Sequence, residues 1–242
     1  MAIERDSNLA HSPFELSSSV MKNPIDRRHA LKTTLLGTAV GVFTSHNSEA
    51  KSSPTPPEIE GPFYPVTQQK DKDFDLTQIE GRSEKAKGEV VSLTGKVVDT
   101  EGNPIEDAMV EMWQANAAGR YAHPRDTSKA PLDPNFQGWA IVPSGKEGGF
   151  HFKTIKPGAY KVAKKWTRPP HLHFKITKFG FRPLTTQMYF PEDVELQKTD
   201  GLLQRKEKDA QILMIAKKIA DGKYSYQIVL AKADQPDSPQ QD

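Results

Sequence analysis

From residue 90 onward the chain alternates apolar and polar positions in short runs, broken by clusters of Gly, Pro, Asp and Asn. Val90 to Val98 is one such run, closed by Asp99-Thr100-Glu101-Gly102-Asn103-Pro104. Ala108 to Gln114 is a second, with Val110 and Met112 on one face and Glu111 and Trp113 on the other. Gly149 to Ile155, Tyr160 to Lys164, His171 to Thr177, Thr185 to Phe190 and Lys223 to Ala231 repeat the pattern. A period of two places alternate side chains on opposite faces, so these runs predict strands. One stretch has a helical period instead. Glu207 to Ala220 sets Ile212, Ile215, Ala216 and Ile219 on one face, with Gly222 as its stop. Many short strands with turn residues between them predict an all-β fold, an antiparallel β-sandwich with long loops and one or two short helices.

Composition narrows the chemistry. Nineteen prolines against 16 glycines suit a loop-rich fold. No cysteine is present, which excludes disulfides, thiolate metal sites and cysteine nucleophiles. The 33 Lys and Arg nearly balance the 31 Asp and Glu, leaving +2, which argues against nucleic acid as a partner.

The first fifty residues read as an address. Arg27-Arg28-His29-Ala30-Leu31-Lys32 is followed by an uncharged stretch from Thr33 to Phe43, then by Ser48-Glu49-Ala50, a small-x-small cleavage pattern. The arrangement resembles a twin-arginine leader, and a basic arm is the alternative. The apolar stretch is too short for a membrane anchor, so no membrane association is expected after cleavage. The expected organisation is an export signal over 1–50, a linker and site-covering segment over 51–89, a β-sandwich over 90–232 and a polar tail over 233–242. The expected location is the bacterial periplasm.

Beyond residue 50 there are only four histidines: His123, His151, His171 and His173. In an extended chain His171 and His173 share a face, which makes half of a metal site or, equally, a surface or core pair. His123 and His151 read as solvent-facing, and Trp113, Trp139 and Trp166 as packing residues. Tyr121 follows Gly119-Arg120, and Tyr160 follows Pro157-Gly158-Ala159. A phenol binds metal only as phenolate, which a hard trivalent cation can enforce. Each tyrosine taken alone reads as a half-buried aromatic.

Four segments together resemble the intradiol ring-cleavage dioxygenases. They are Trp113-Gln114-Ala115-Asn116-Ala117-Ala118-Gly119-Arg120-Tyr121, Ala130-Pro131-Leu132-Asp133-Pro134-Asn135-Phe136, Thr154-Ile155-Lys156-Pro157-Gly158-Ala159-Tyr160 and Arg168 through Phe174. The resemblance implies a mononuclear non-haem Fe(III) held by Tyr121, Tyr160, His171 and His173, with Tyr160 as the ligand that leaves and serves as base. It implies an active-site cation at Arg168 and a polar group near substrate at Gln187. Gly61-Pro62-Phe63-Tyr64 resembles a pocket segment of the family, implying substrate contacts from Gly61, Pro62 and Tyr64 within the same chain or a neighbouring copy. Val162 stands where relatives carry tryptophan, implying a smaller pocket wall. The implied reaction cleaves a catechol between its hydroxylated carbons with O₂, giving a cis,cis-muconate-type diacid. The implied partners are a catechol-type substrate and O₂, and a homo-oligomer is expected. The competing readings are a transthyretin-like binding module of the same fold and a periplasmic metal or phenol carrier.

Overall fold

The computed structural model describes residues 51–69 and 71–233. The expected export signal, and the expected polar tail beyond residue 233, lie outside these residues. Ten strands follow one another: β1 (Val90–Asp99), β2 (Met109–Trp113), β3 (Trp139–Pro143), β4 (Gly149–Ile155), β5 (Tyr160–Ala163), β6 (Trp166–Arg168), β7 (His171–Thr177), β8 (Leu184–Tyr189), β9 (Lys217–Ala220) and β10 (Lys223–Leu230). Between β8 and β9 lie two short helices, α1 (Val194–Gln197) and α2 (Lys208–Ile212), with a 3-10 turn over Leu203–Arg205. No described helix is long and apolar enough to cross a membrane.

Two four-stranded sheets, ordered β4-β1-β10-β9 and β3-β2-β7-β8, form the sandwich, and β5-β6 is a separate hairpin. The first sheet departs from the expected antiparallel pattern at one pairing, because β1 and β10 run parallel. The core lies between the sheets. Val91, Leu93 and Val97 of β1 and Tyr224, Tyr226 and Ile228 of β10 meet Val110 and Met112 of β2 and Leu172, Phe174 and Ile176 of β7. Each inward set has the period of two that the sequence carries. Gly95 on β1 is part of this fit: a Cβ there would come within 2.1 Å of the Phe150 ring on β4.

The helix expected over Glu207 to Ala220 is not formed. Only Lys208–Ile212 is helical, and Lys217–Ala220 is an edge strand paired with β10. Between them the backbone bonds to Tyr189, with its N–H donating to Met214 and its carbonyl accepting from Ala216. The β-branched Ile215 and Ile219 suit a strand. Asp221-Gly222, with Gly222 at φ 66, is the turn of the β9–β10 hairpin rather than a helix stop. Besides β9, two further strands were not anticipated. Trp139–Pro143 lacks a clean alternation, and Trp166–Arg168 has only three residues.

Candidate active site

The strand β7 has two contrasting faces. Leu172, Phe174 and Ile176 point into the core, so His171, His173 and Lys175 stand on the outer face of the second sheet. Register carries that face across four strands. Trp139 lies opposite Trp113, Trp113 opposite His173, and His173 opposite Gln187. Such a face normally meets water. Here loops cover it, and His171 and His173 are only 2% and 3% exposed. The segment before β1 forms part of this cover. Glu58 N–H donates to the Thr185 carbonyl, Lys175 pairs with Glu60 at 3.1 Å, and Gln187 Nε2 donates to the Ile59 carbonyl at 3.2 Å. Gly61 then passes His173, where a Cβ would lie 3.5 Å from the ring.

The two tyrosines come from loops that rest directly on one another. Asn116 organises the first loop, its Oδ1 accepting from the N–H groups of Ala118 and Arg120. Its carbonyl accepts from Gly119 and from Gly158 of the second loop. A Cβ on Gly158 would lie 2.4 Å from the Ala117 carbonyl oxygen, and one on Gly119 (φ +74) would lie 2.6 Å from that of Ala159. Only glycine permits this backbone-to-backbone approach. It brings Tyr121 and Tyr160 together with ring centroids 5.7 Å apart.

Four donors converge as a result. The Tyr121 hydroxyl lies 3.1 Å from His173 Nε2 and 3.4 Å from His171 Nε2, and the Tyr160 ring centroid lies 5.7 Å from those of both Tyr121 and His171. His171 Nδ1 lies 2.7 Å from the Pro169 carbonyl. That contact requires a proton on Nδ1 and leaves Nε2 a bare lone pair. Trp113 stacks on the His173 ring at 4.8 Å. His173 Nδ1 is buried with no hydrogen-bond partner. Burial, then the Arg168 charge, keeps both imidazoles neutral: His171 falls well below its usual value and His173 to about 3. Burial raises the hydroxyl pKa of Tyr121 well above normal, and that of Tyr160 also rises. With Nε2 of both imidazoles at the Tyr121 hydroxyl and Tyr160 beside it, the cluster fits a hard cation that would take two phenolates and two neutral imidazoles. Among the described residues no three of His, Cys, Asp and Glu gather to hold a metal, so the donor set depends on phenols.

Beside the cluster lies a buried ion pair. Arg168 Nε meets Asp200 Oδ1 at 2.9 Å, with side chains 5% and 0% exposed. Arg168 also donates to Gln187 Oε1 at 2.5 Å and to the Tyr189 hydroxyl at 3.1 Å. Asp200 accepts from Tyr189 and from Trp166 Nε1, each at 3.0 Å.

A cavity of about 550 Å³ opens onto this arrangement, lined by Gly61, Pro62, Tyr160, Val162, Arg168, His173 and Gln187 among others. Of the residues expected to contact substrate, Gly61, Pro62 and Val162 line it. Tyr64 does not; Phe63 takes that place, stacked on Tyr121 at 4.8 Å. Tyr64 turns to the sheet, where its hydroxyl donates to Glu111 at 2.7 Å and its ring meets Trp113 edge-on. A Gly-Pro turn fixes where the segment enters but not which of two consecutive aromatics faces inward. The segment covers the site of its own chain. Asp200, Trp166 and Phe63 carried no sequence signal for the site. Tyr189 carried one: it lies two residues from Gln187 on the same face of β8.

The Dioxygenase_C family model, described as a dioxygenase, matches residues 59–232. The protocatechuate 3,4-dioxygenase beta chain of Burkholderia cepacia is 42% identical over 166 residues, covering 63% of this chain and 70% of that one. The hydroxyquinol 1,2-dioxygenase of a Rhizobium strain is 30% identical over 120 residues, and the match spans 44% of this chain and 39% of that relative's length. Among solved structures, the 3-chlorocatechol 1,2-dioxygenase of Rhodococcus opacus superposes with a TM-score of 0.57 at 26% identity, covering 77% of this chain and 74% of that one.

Proposed function

The chain belongs to the intradiol ring-cleavage dioxygenases, and from that premise we propose that it opens a catechol-type ring between its hydroxylated carbons with O₂. The observation that carries this reading is the meeting of two imidazole nitrogens at the Tyr121 hydroxyl, with the Tyr160 ring packed beside Tyr121 and His171. A β-sandwich alone would equally suit a binding module. The donor set and the family match favour the enzyme.

Tyr121, Tyr160, His171 and His173 would hold a ferric ion. Bound there, Fe(III) would supply Lewis acidity toward the two diol oxygens and accept electron density from the ring. The remaining work belongs to the chain. His171 is oriented by the Pro169 carbonyl, which leaves a lone pair on its Nε2, and the His173 ring is held by stacking on Trp113. Tyr160, half-buried on the cavity wall, would be a phenolate with the ferric ion bound, and its phenolate oxygen would take up a diol proton. Arg168 sets a permanent positive charge against the oxygens of the bound diol. Asp200 and Tyr189 hold that guanidinium in place, and Gln187 is turned by it toward the cavity. Pro62 and Phe63 roof the site and limit the entry of water.

Metal analysis and turnover test this together. The purified chain is expected to carry about one iron, show broad visible absorption, and consume one O₂ per catechol while releasing a ring-opened diacid. His171→Ala and His173→Ala are expected to lose iron, colour and turnover. They should also lower thermal stability, since the metal binds only the folded form. Full iron and turnover in either variant would show the site to be misplaced.

A further inference from the structure

The cavity is larger than one aromatic ring needs. An apolar cavity of about 150 Å³ holds a benzene ring, and this one is about 550 Å³. Its walls differ in character. Arg168, His173, Gln187 and Tyr160 form the polar end. Val162, Trp166 and Leu202 form an apolar shelf beside it.

The shelf is built deliberately. In the β5–β6 hairpin, Lys161 pairs with Thr167 and Ala163 with Trp166, so Val162 is the unpaired, bulged residue. A bulge re-aims a side chain out of the ladder. Val162 lines the cavity yet is 50% exposed, and Ile59, also in the lining, is 56% exposed. Trp166 is fixed as a wall. Its Nε1–H donates to buried Asp200 at 3.0 Å, and a Cβ on Gly201 would rest 3.6 Å from its ring. Apolar surface of this kind, rimmed by polar groups and continuous with a reaction site, marks a ligand surface.

We propose that the substrate is a catechol bearing a second, apolar aromatic group, which lies against Val162, Trp166 and Leu202 while the diol occupies the polar end. This rests on the dioxygenase reading of the same site. Val162 is then the specificity-determining residue. A small bulged side chain leaves room for the second ring, and a large one would fill it.

The test compares catechol with 3,4-dihydroxybiphenyl on the iron-loaded enzyme. Binding is followed without O₂ by quenching of tryptophan fluorescence, since Trp166 lines the cavity, and turnover by O₂ uptake. The biaryl is expected to bind about tenfold more tightly than catechol, as an added apolar group in a matching pocket does. Val162→Trp is expected to bring that ratio close to one. Equal affinity in the parent enzyme, or a ratio unmoved by Val162→Trp, would overturn the proposal. So would a stable dimer that Val162→Trp converts to monomer, because a second copy would then cover the shelf. If catechol is turned over and the biaryl is not bound, the inference fails and the dioxygenase reading stands. If iron is bound and neither compound is turned over, the reading itself fails.

Discussion

Tyr121 and Tyr160 meet at one point from opposite settings. Tyr121 is 3% exposed, stacked on Phe63 and edge-on to His173, and its backbone N–H is held by Asp126 at 2.7 Å. Tyr160 begins a four-residue strand in a hairpin apart from both large sheets, and Lys161, Val162 and Ala163 after it are exposed. Segments with few buried contacts open at low cost. One oxygen is therefore fixed by packing on every side, and the other sits on the part of the site best able to move. On the proposed reading, a ligand that leaves so that a substrate can bind would sit on the second flank.

The sharpest test of this difference is to remove each hydroxyl in turn. Tyr121→Phe is expected to lose most of the iron and the visible absorption, because the rest of the site is built around that oxygen. Tyr160→Phe is expected to retain iron while turnover falls by about 10²–10⁴, the usual worth of a positioned base. Metal analysis beside steady-state rates reads both. Equal loss of iron in the two variants would remove the distinction between the flanks.

A smaller effect is expected where the flanks touch. Gly158→Ala places a Cβ 2.4 Å from the Ala117 carbonyl oxygen and 2.6 Å from the Gly119 nitrogen, and neither backbone atom can yield alone. The overpacking should cost about 1–3 kcal/mol, which lowers the melting temperature by about 2–4 °C per kcal/mol in a chain of this size. Thermal unfolding measures it. If the two loops are joined as described, iron affinity falls together with stability; an unchanged melting temperature would show that the loops do not bear on each other.

The same contrast explains what could be read from the sequence. Strands with one face in the core and one outside carry an alternation, and Gly149–Ile155 and His171–Thr177 end where that alternation ends. The pairing of His171 with His173 on one face follows from it. The segment from Glu207 to Ala220 misled because its isoleucines fit a helical period as well as a strand, and pairing with β10 decided the outcome. The local contexts of Tyr121 and Tyr160 single them out without marking a ligand, and motif resemblance alone implied that role. What joins them is a pair of glycines 39 positions apart, Gly119 and Gly158. Asp200 was invisible because its meaning depends on Arg168, and nothing between them in the chain marks two buried side chains that meet. Phe63 takes the place expected of Tyr64 because either aromatic satisfies the local sequence.

The weakest tie on the Tyr160 flank offers the finest test. Lys156, four residues before Tyr160, bonds Glu192 at 2.8 Å and Asp193 at 3.1 Å. Burial alone would lower the Lys156 pKa, but the two carboxylates outweigh it and hold it above its usual 10.5. Burial alone would raise that of Glu192, but the bonds from Lys156 and Tyr224 outweigh it and hold it below its usual 4.5. The sign of each follows. The lysine contribution is complete below about pH 10.5 and is lost as pH rises through its folded value; the Glu192 contribution is complete above about pH 4.5 and is lost as pH falls below it. Lys156→Met should therefore cost about 0.5–1 kcal/mol at neutral pH, the worth of a partly exposed pair. The difference from the parent should shrink as pH falls below 4.5, because the unfolded chain then takes up a proton on Glu192 that the folded parent still resists. Denaturant unfolding at pH 7 and pH 4 compares them. A constant difference across that range would mean that Lys156 steadies the Tyr160 loop through its contact with the Phe190 ring, and not through the paired carboxylates.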